Sequence, residues 1–140
     1  MGRSTHKTQL TQAREDSLHE LVARLDLPLE GVDLLNVAFT HTSYANEHKK
    51  LGLHHNQRLE FLGDAVLDLI IGEYLFHNYH DMAEGDLTKI KAATVCEPSL
   101  ASVSRQLDLG RYLLMGHGET MCGGQYRESI LADTFECLVG

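Results

Sequence analysis

The stretch from Asn56 to Leu67, NQRLEFLGDAVL, is the most informative part of the sequence about the fold and about the kind of site that this chain carries. Asn56 is a candidate N-cap, so we predict a long helix from Gln57 to about His77. Apolar residues recur there at helical spacing, and others widen the stripe: Leu59, Leu62, Val66, Leu69 and Ile70, then Phe61, Ala65 and Leu75. A helix that is apolar around most of its circumference is expected in the middle of a bundle.

Acidic residues interrupt this apolar helix at regular intervals. Glu60, Asp64 and Asp68 are spaced i, i+4, i+8, which places their carboxylates on one face. Asp133 and Glu136 repeat the theme on a later helix, again among apolar residues. If the two helices meet, they make a four-carboxylate cluster, and such hard oxygen ligands suit Mg²⁺ or Mn²⁺ better than zinc. The spacing alone leaves the ordinary alternative open, which is a solvated acidic face.

The rest of the chain also shows helical periodicity, and no hairpin signal occurs, so we predict an all-α helical bundle. The remaining expected elements are a helix around 18–25, a helix from Asp33, a polar loop over 40–55 with one helical turn, a helix from an Asp86 cap to Val95, a helix from Glu97 to a Gly110 cap, a glycine-rich loop over 115–124, and a last helix from Tyr126 or Arg127.

Length and composition limit the possible classes of protein. A chain of 140 residues with 43% hydrophobic and 23% charged residues is typical of one globular domain. No apolar run is long enough to span a bilayer, and three scattered cysteines indicate free thiols, so we expect a cytoplasmic protein. We expect residues 1–15 to be a flexible segment and 16–140 to be one domain, truncated at its C-terminal end because the chain stops within a helix.

Three blocks of sequence closely resemble the ribonuclease III family, in the family's order. They are NQRLEFLGDAVL at 56–67, EGDL at 84–87 followed by Lys89 and Lys91, and RESILADTFE at 127–136. The glycine-rich GHGE at 116–119 and the glycine pair at 123–124 fit the loop before the last block. The resemblance covers about residues 18–140, and it implies the all-α endonuclease-domain fold of that family.

The resemblance also implies a function and a set of site residues. Family members are homodimeric endonucleases that cut double-stranded RNA with divalent metal ions, leave 5′-phosphate and 3′-hydroxyl ends with staggered cuts, and process ribosomal and other RNA precursors. No small-molecule cofactor is implied. Carried over by position, the metal cluster is Glu60, Asp64, Asp133 and Glu136, of which Asp64 and Glu136 are the catalytic pair. Glu84 matches a supporting acidic position, and Phe61 matches a dimer-contact aromatic, with a plain core phenylalanine as the alternative.

Some features depart from the family pattern. Gln57 stands where many members carry glutamate, and no double-stranded RNA-binding domain follows in this sequence. The net charge of −8 is wrong for a protein that binds nucleic acid by charge neutralisation, so a separate basic module is expected to hold the RNA. The main alternative function is a catalytically inactive, dimeric RNA- or ribosome-binding module. A helical scaffold unrelated to nucleic acid accounts for the acidic pairs but not for the motif blocks.

Overall fold

A computed structural model describes residues 9–140 as a bundle of α-helices. Within these residues no β-strand forms, and an isolated parallel bridge joins Thr40 to Leu114. The all-α expectation is confirmed. The helices are α1 (Gln12–Arg24), α2 (Asp33–Ala38), α3 (Thr42–Glu47), α4 (Gln57–Asn78), α5 (Glu84–Thr94), α6 (Glu97–Gln106), α7 (His117–Met121) and α8 (Glu128–Val139), with short 3₁₀ turns at Lys49–Leu51, Leu109–Tyr112 and Gly124–Tyr126.

The first helix closes one end of the core. Thr11 caps α1 by accepting a hydrogen bond from the Arg14 backbone N–H, and Leu18 and Leu21 are fully buried. They belong to an apolar cluster completed by Val32, Leu35, Ala38, Phe39, Leu109, Tyr112 and Cys137. The Arg14 guanidinium donates to Asn36 Oδ1 and to the Tyr112 carbonyl oxygen, which ties α1 to α2 and to the Leu109–Tyr112 turn. Burial accordingly lowers the pKa of Arg14 to about 10.

The last helix forms the centre of the molecule. α8 packs most extensively against α6 and α4, and its buried residues include Ile130, Leu131 and Ala132. Asn56 precedes α4 as predicted, but its side chain does not cap that helix. Its amide instead donates to the Ala38 carbonyl oxygen, while the Thr40 carbonyl oxygen accepts from the Asn56 N–H. Asn56 thus fixes the start of α4 to the end of α2.

The expected position of α4 inside the bundle is wrong for the single chain. Only Gly63, Leu67 and Leu75 are buried along its 22 residues. Several of its large apolar side chains face outward instead, namely Phe61, Leu62, Leu69, Ile70, Tyr74 and Phe76. Periodicity identifies a wide apolar stripe, but it does not say whether the same chain covers that stripe. Here α8 and α5 cover only part of it.

Several predicted boundaries also shift. The 40–55 segment holds a full α3 and a 3₁₀ turn, and the glycine-rich 115–124 segment holds α7. α5 begins at Glu84, two residues before the expected Asp86 cap. α6 ends at Gln106, and Asp108, with φ of +50°, takes the left-handed position expected of Gly110. Asp and Asn tolerate that conformation better than other non-glycine residues, which a glycine-based rule overlooks.

The segment expected to be flexible, 1–15, lies partly outside the described residues, since these begin at residue 9. Its last four residues, 12–15, belong to α1. Within the described part of the chain, no helix combines the length and the apolar character needed to cross a membrane.

Gly63 is where α4 and α8 come closest. A Cβ added to Gly63 would overlap the backbone carbonyl group of Glu136, an obstacle that side-chain rotation does not relieve. A glycine is therefore required, because only a hydrogen atom fits between the two backbones. On the same helix, a Cβ at Gly72 would meet no atom within 4 Å.

These two glycines make a matched test of helix packing. We expect Gly63→Ala to lower the free energy of unfolding by roughly 1–3 kcal/mol or more, because overpacking forces the two helices apart. Gly72→Ala should raise it by about 0.5–1 kcal/mol, because alanine favours the helix where space is available. Urea denaturation of both variants measures this. Equal effects at the two positions would contradict the close contact.

Candidate metal centre

The close contact of α4 and α8 brings together carboxylates that are far apart in sequence. Carboxylate oxygens of Glu60, Asp133 and Glu136 all lie within 4.8 Å of one another, and each of these residues is partly buried. Glu60 comes from the first turn of α4, whereas Asp133 and Glu136 lie one turn apart on α8. The three oxygen ligands form a group of the size that holds a metal ion.

Asp64 lies at the exposed edge of this group. It follows Glu60 by one turn on α4, and its side chain is more exposed than those of the other three. Asp64 lines the same cleft as Glu60 and Glu136, and after burial its charge is the next cause that raises the pKa of Glu136. All four carboxylates that the sequence singled out therefore meet on one side of the α4–α8 contact.

The electrostatics of the group are unfavourable without a cation. Burial, together with the negative charges of Asp64, Asp133 and Glu60, raises the pKa of Glu136 to about 7. Burial also raises the pKa of Glu60 and of Asp133, with neighbouring carboxylates as the next cause. Like charges held at this distance oppose ionisation. A multivalent cation relieves that repulsion, and hard oxygen ligands with no thiol in the group suit Mg²⁺ or Mn²⁺.

An open cleft of about 460 Å³ lies over the carboxylates. Glu60, Asp64 and Glu136 line it together with Gln57 and Phe61. Phe61 is 81% exposed, so it is not a core residue of this chain. Gln57 also lines the cleft, and its side-chain amide can donate a hydrogen bond as well as accept one.

Two other acidic residues interact with groups outside the cluster. Asp68, the third member of the i, i+4, i+8 series, lies 3.7 Å from the ammonium group of Lys91 on α5. Glu84 accepts a hydrogen bond from the Thr88 hydroxyl at 2.8 Å and is exposed in the first turn of α5. The structure places neither of them in the three-oxygen group. The supporting role of Glu84 stays a prediction.

Sequence reasoning missed two residues beside the cluster. Cys137 follows Glu136, is buried, and donates from its thiol to the Asn56 carbonyl oxygen. Burial raises the pKa of the Cys137 thiol, so it stays protonated next to the carboxylates. Burial lowers the pKa of His41, and the charges of Glu119 and of Asp133, which is 92 positions away in the chain, oppose that shift. Neither residue belongs to a recognisable spacing pattern, so the fold alone identifies them.

Known proteins similar to this chain agree on one family. The family described as Ribonuclease-III-like matches residues 32–140. The Ribonuclease 3 of Desulforamulus reducens is 54% identical over 127 residues, which are 91% of this chain and 52% of that protein. The Ribonuclease 3 of Shouchella clausii is 46% identical over 138 residues, 99% of this chain and 53% of that protein. The chain thus spans about half the length of these curated relatives.

Solved structures give the same result. The nuclease domain of ribonuclease III from Campylobacter jejuni superposes with a TM-score of 0.79 at 43% sequence identity. That similarity covers 86% of this chain and 80% of the other, in a structure that concerns flexibility in a region involved in dimer formation. A second structure of that nuclease domain gives a TM-score of 0.77. The family match over 109 residues, the identity to its curated members and this shared fold together place the chain in the ribonuclease III-like family.

Proposed function

We propose that this chain is the nuclease domain, residues 16–140, of an endoribonuclease that hydrolyses double-stranded RNA with divalent metal ions. The observation that carries the proposal is the oxygen group of Glu60, Asp133 and Glu136 between α4 and α8, with Asp64 lining the same open cleft as Glu60 and Glu136. The products proposed are 5′-phosphate and 3′-hydroxyl ends with staggered cuts, in ribosomal and other RNA precursors. The three free thiols suit a reducing compartment, and we place the enzyme in the cytoplasm.

The residues fit a divalent cation. Glu60, Asp133 and Glu136 offer three oxygen atoms close enough to share one ion, and Asp64 extends the set toward the cleft. Mg²⁺ is the ion we propose, with Mn²⁺ as a substitute, because both prefer carboxylate oxygen. When bound, such ions lower the pKa of water for attack on the phosphodiester and neutralise charge on the leaving oxygen.

The chain itself supplies position and charge. Asp64 and Glu136, the proposed catalytic pair, both line the cleft, where a scissile phosphate can enter. The close approach of the α4 and α8 backbones at Gly63 sets their spacing, so little reorganisation is needed when substrate arrives. Because the chain carries a net charge of −8, we expect a separate basic module to supply the main RNA-binding positive charge. The alternative, an inactive RNA- or ribosome-binding module, is disfavoured because all four carboxylates are present.

Cation binding should be visible in the pH dependence of stability. The pKa of Glu136 is raised from 4.5 to about 7 in the folded chain, so the folded state holds its proton more tightly than the unfolded state. The free energy of unfolding therefore falls as the pH rises from about 4.5 through about 7 when no cation is present. We expect Mg²⁺ to raise the melting temperature at pH 8 and to do little at pH 5. Differential scanning fluorimetry with and without EDTA measures both.

The matched control compares two glutamates. Glu136→Gln should make the metal-free chain more stable at pH 8 and should remove the stabilisation by Mg²⁺. Glu73→Gln, an exposed position further along α4, should leave both unchanged. If the two variants respond to Mg²⁺ alike, Glu136 does not bind the cation.

Cleavage tests the proposed activity directly. We expect the complete protein to cut double-stranded RNA on a gel only with Mg²⁺ or Mn²⁺ present. Glu136→Gln should lower kcat by about two orders of magnitude or more, the scale seen when charge stabilisation of a transition state is lost. Binding of the RNA should persist in that variant, because the cluster carries no positive charge. Near-normal cleavage by Glu136→Gln would rule out its assignment as a catalytic residue.

We further propose that the domain acts as a homodimer that covers the exposed face of α4. Phe61 is 81% exposed at the border of the cleft, and Leu62 and Leu69 are exposed on the same helix. A large aromatic side chain left in water is a typical anchor of a protein interface. Because a twofold interface uses the same surface from both copies, each Phe61 would lie beside a cleft of the assembly.

A single substitution tests the interface. Phe61→Ala should raise the dissociation constant of the dimer at least about tenfold, as loss of an aromatic anchor does. The effect is expected to be large because the substitution removes the side chain from both copies of a twofold interface. Leu34→Ala is the control, since Leu34 is 64% exposed but lies on α2. Analytical ultracentrifugation gives the dissociation constants. A monomeric wild type at micromolar concentration that still cuts both strands would contradict the dimer proposal.

A further inference from the structure

The free positive charges of this chain lie together in one segment. Most lysine and arginine side chains contact a carboxylate, a carbonyl oxygen or a side-chain amide, namely Arg14, Arg24, Lys89, Lys91, Arg105, Arg111 and Arg127. Within residues 9–140, Lys49, Lys50 and Arg58 form neither an ion pair nor a side-chain hydrogen bond, and all three are exposed. Their charges are therefore available to a ligand.

No acidic residue offsets this positive charge locally. Residues 48–59 contain no Asp or Glu, and besides the three cations they contain His48, His54 and His55. The chain as a whole carries a net charge of −8, so this segment is a positive region on an otherwise negative molecule. We call residues 48–58 the basic strip.

The backbone of the basic strip is fixed at both ends. At its start, the His48 ring stacks on the Tyr44 ring with 4.2 Å between centroids, and His48 Nδ1 lies 2.9 Å from the Tyr44 carbonyl oxygen. The two lysines then lie in a 3₁₀ turn, which Gly52 ends in the left-handed conformation with φ of +57°. At the other end, two hydrogen bonds hold Asn56. Binding a ligand to the strip therefore requires little ordering of the backbone.

The basic strip leads directly to the cleft. Gln57 lines the cleft together with Glu60 and Asp64, and Arg58 follows Gln57 in the first turn of α4. Lys50 precedes Gln57 by seven residues, which span at most about 25 Å even when fully extended. An RNA duplex with one phosphodiester in the cleft extends beyond that distance, so its backbone can contact the strip.

We propose that the basic strip binds the phosphate backbone of double-stranded RNA beside the cleft, through Lys49, Lys50 and Arg58. The inference rests on the proposed endonuclease function. Cations that contact phosphates supply affinity for nucleic acid without reading its sequence, and the planar fork of an arginine matches two phosphate oxygens. The strip supplies such contacts next to carboxylates that would otherwise repel the substrate. A separate basic module remains the expected source of most of the affinity, whereas the strip sets where the backbone lies relative to the cleft.

Neutral substitutions in the 140-residue chain measure these contacts. The strip variant combines Lys49→Gln with Lys50→Gln. The control variant combines Lys89→Gln with Arg105→Gln, which removes the same charge from cations that are paired with carboxylates on other helices. All chains also carry Glu136→Gln, so that a bound duplex is not cut. Fluorescence anisotropy with two labelled RNA duplexes of different sequence gives the dissociation constant over a range of salt concentrations, and the melting temperature reports folding.

We expect the strip variant to raise the dissociation constant roughly threefold or more at about 50 mM salt, equally for both duplexes. The slope of log affinity against log salt should become shallower by about 2, because each lost phosphate contact removes about one unit. Arg58→Gln should remove about one further unit, and Arg58→Lys should restore binding only in part, since lysine lacks the planar fork. The control variant should leave the slope unchanged.

The proposal is overturned if the strip and control variants lose RNA affinity equally, because net charge then accounts for the loss. It is also overturned if the parent chain binds no duplex at low salt. If the strip variant loses affinity for poly-glutamate but not for RNA, the ligand is an acidic protein and the proposal is wrong. A complete protein that cuts no double-stranded RNA, although the strip binds as expected, contradicts the proposed function alone.

Discussion

The backbones of α4 and α8 touch at Gly63, and the rest of the structure depends on that contact. A side chain at this position would collide with the Glu136 carbonyl group, so the helices reach their separation only with glycine there. Gly63 lies between Glu60 and Asp64 on α4, and the residue that it contacts on α8 is Glu136, so the helix packing and the site share the same residues. Gly140 repeats the arrangement at the end of α8, where a Cβ would overlap the Leu59 carbonyl oxygen.

This packing has an electrostatic cost that the chain does not offset by itself. The contact brings several carboxylates together. Burial raises the pKa of Glu60, Asp133 and Glu136, and a nearby carboxylate acts in the same direction on each of them, Glu97 in the case of Asp133. A core built for stability alone would place apolar residues there. The same arrangement becomes favourable when the carboxylate oxygens share a divalent cation, because the cation neutralises the charges that repel one another.

The sequence predicted the helices and the candidate cluster for physical reasons that are local. Apolar periodicity identified α1, α4 and α6, and the spacing of Glu60 with Asp64 and of Asp133 with Glu136 placed each pair on one helix face. Apolar periodicity does not say which other elements pack against a helix. The prediction therefore placed α4 inside the bundle, although Phe61 and Leu69 are mostly exposed. It also missed α7 within the glycine-rich segment, because short helices there depend on tertiary contacts more than on propensity.

The sequence pattern does not predict contacts between residues that are far apart in the chain. The link from Gly116 through Ser43 to His41 joins segments more than 70 positions apart, and nothing in their spacing indicates it. The meeting of the two acidic pairs was an expectation from family resemblance and from chemistry, since helix spacing cannot say which faces pack together. The fold supplies that relation through the Gly63 contact.

If α4 and α8 assemble one cation site between them, a crystal of the chain grown with Mn²⁺ should reveal it in anomalous diffraction recorded at the manganese edge. We expect an anomalous peak bound by oxygens of Glu60, Asp133 and Glu136, with ligands from both helices. Saturating Mn²⁺ with no peak in this group, or a peak bound by one helix alone, would show that the two helices do not share a cation.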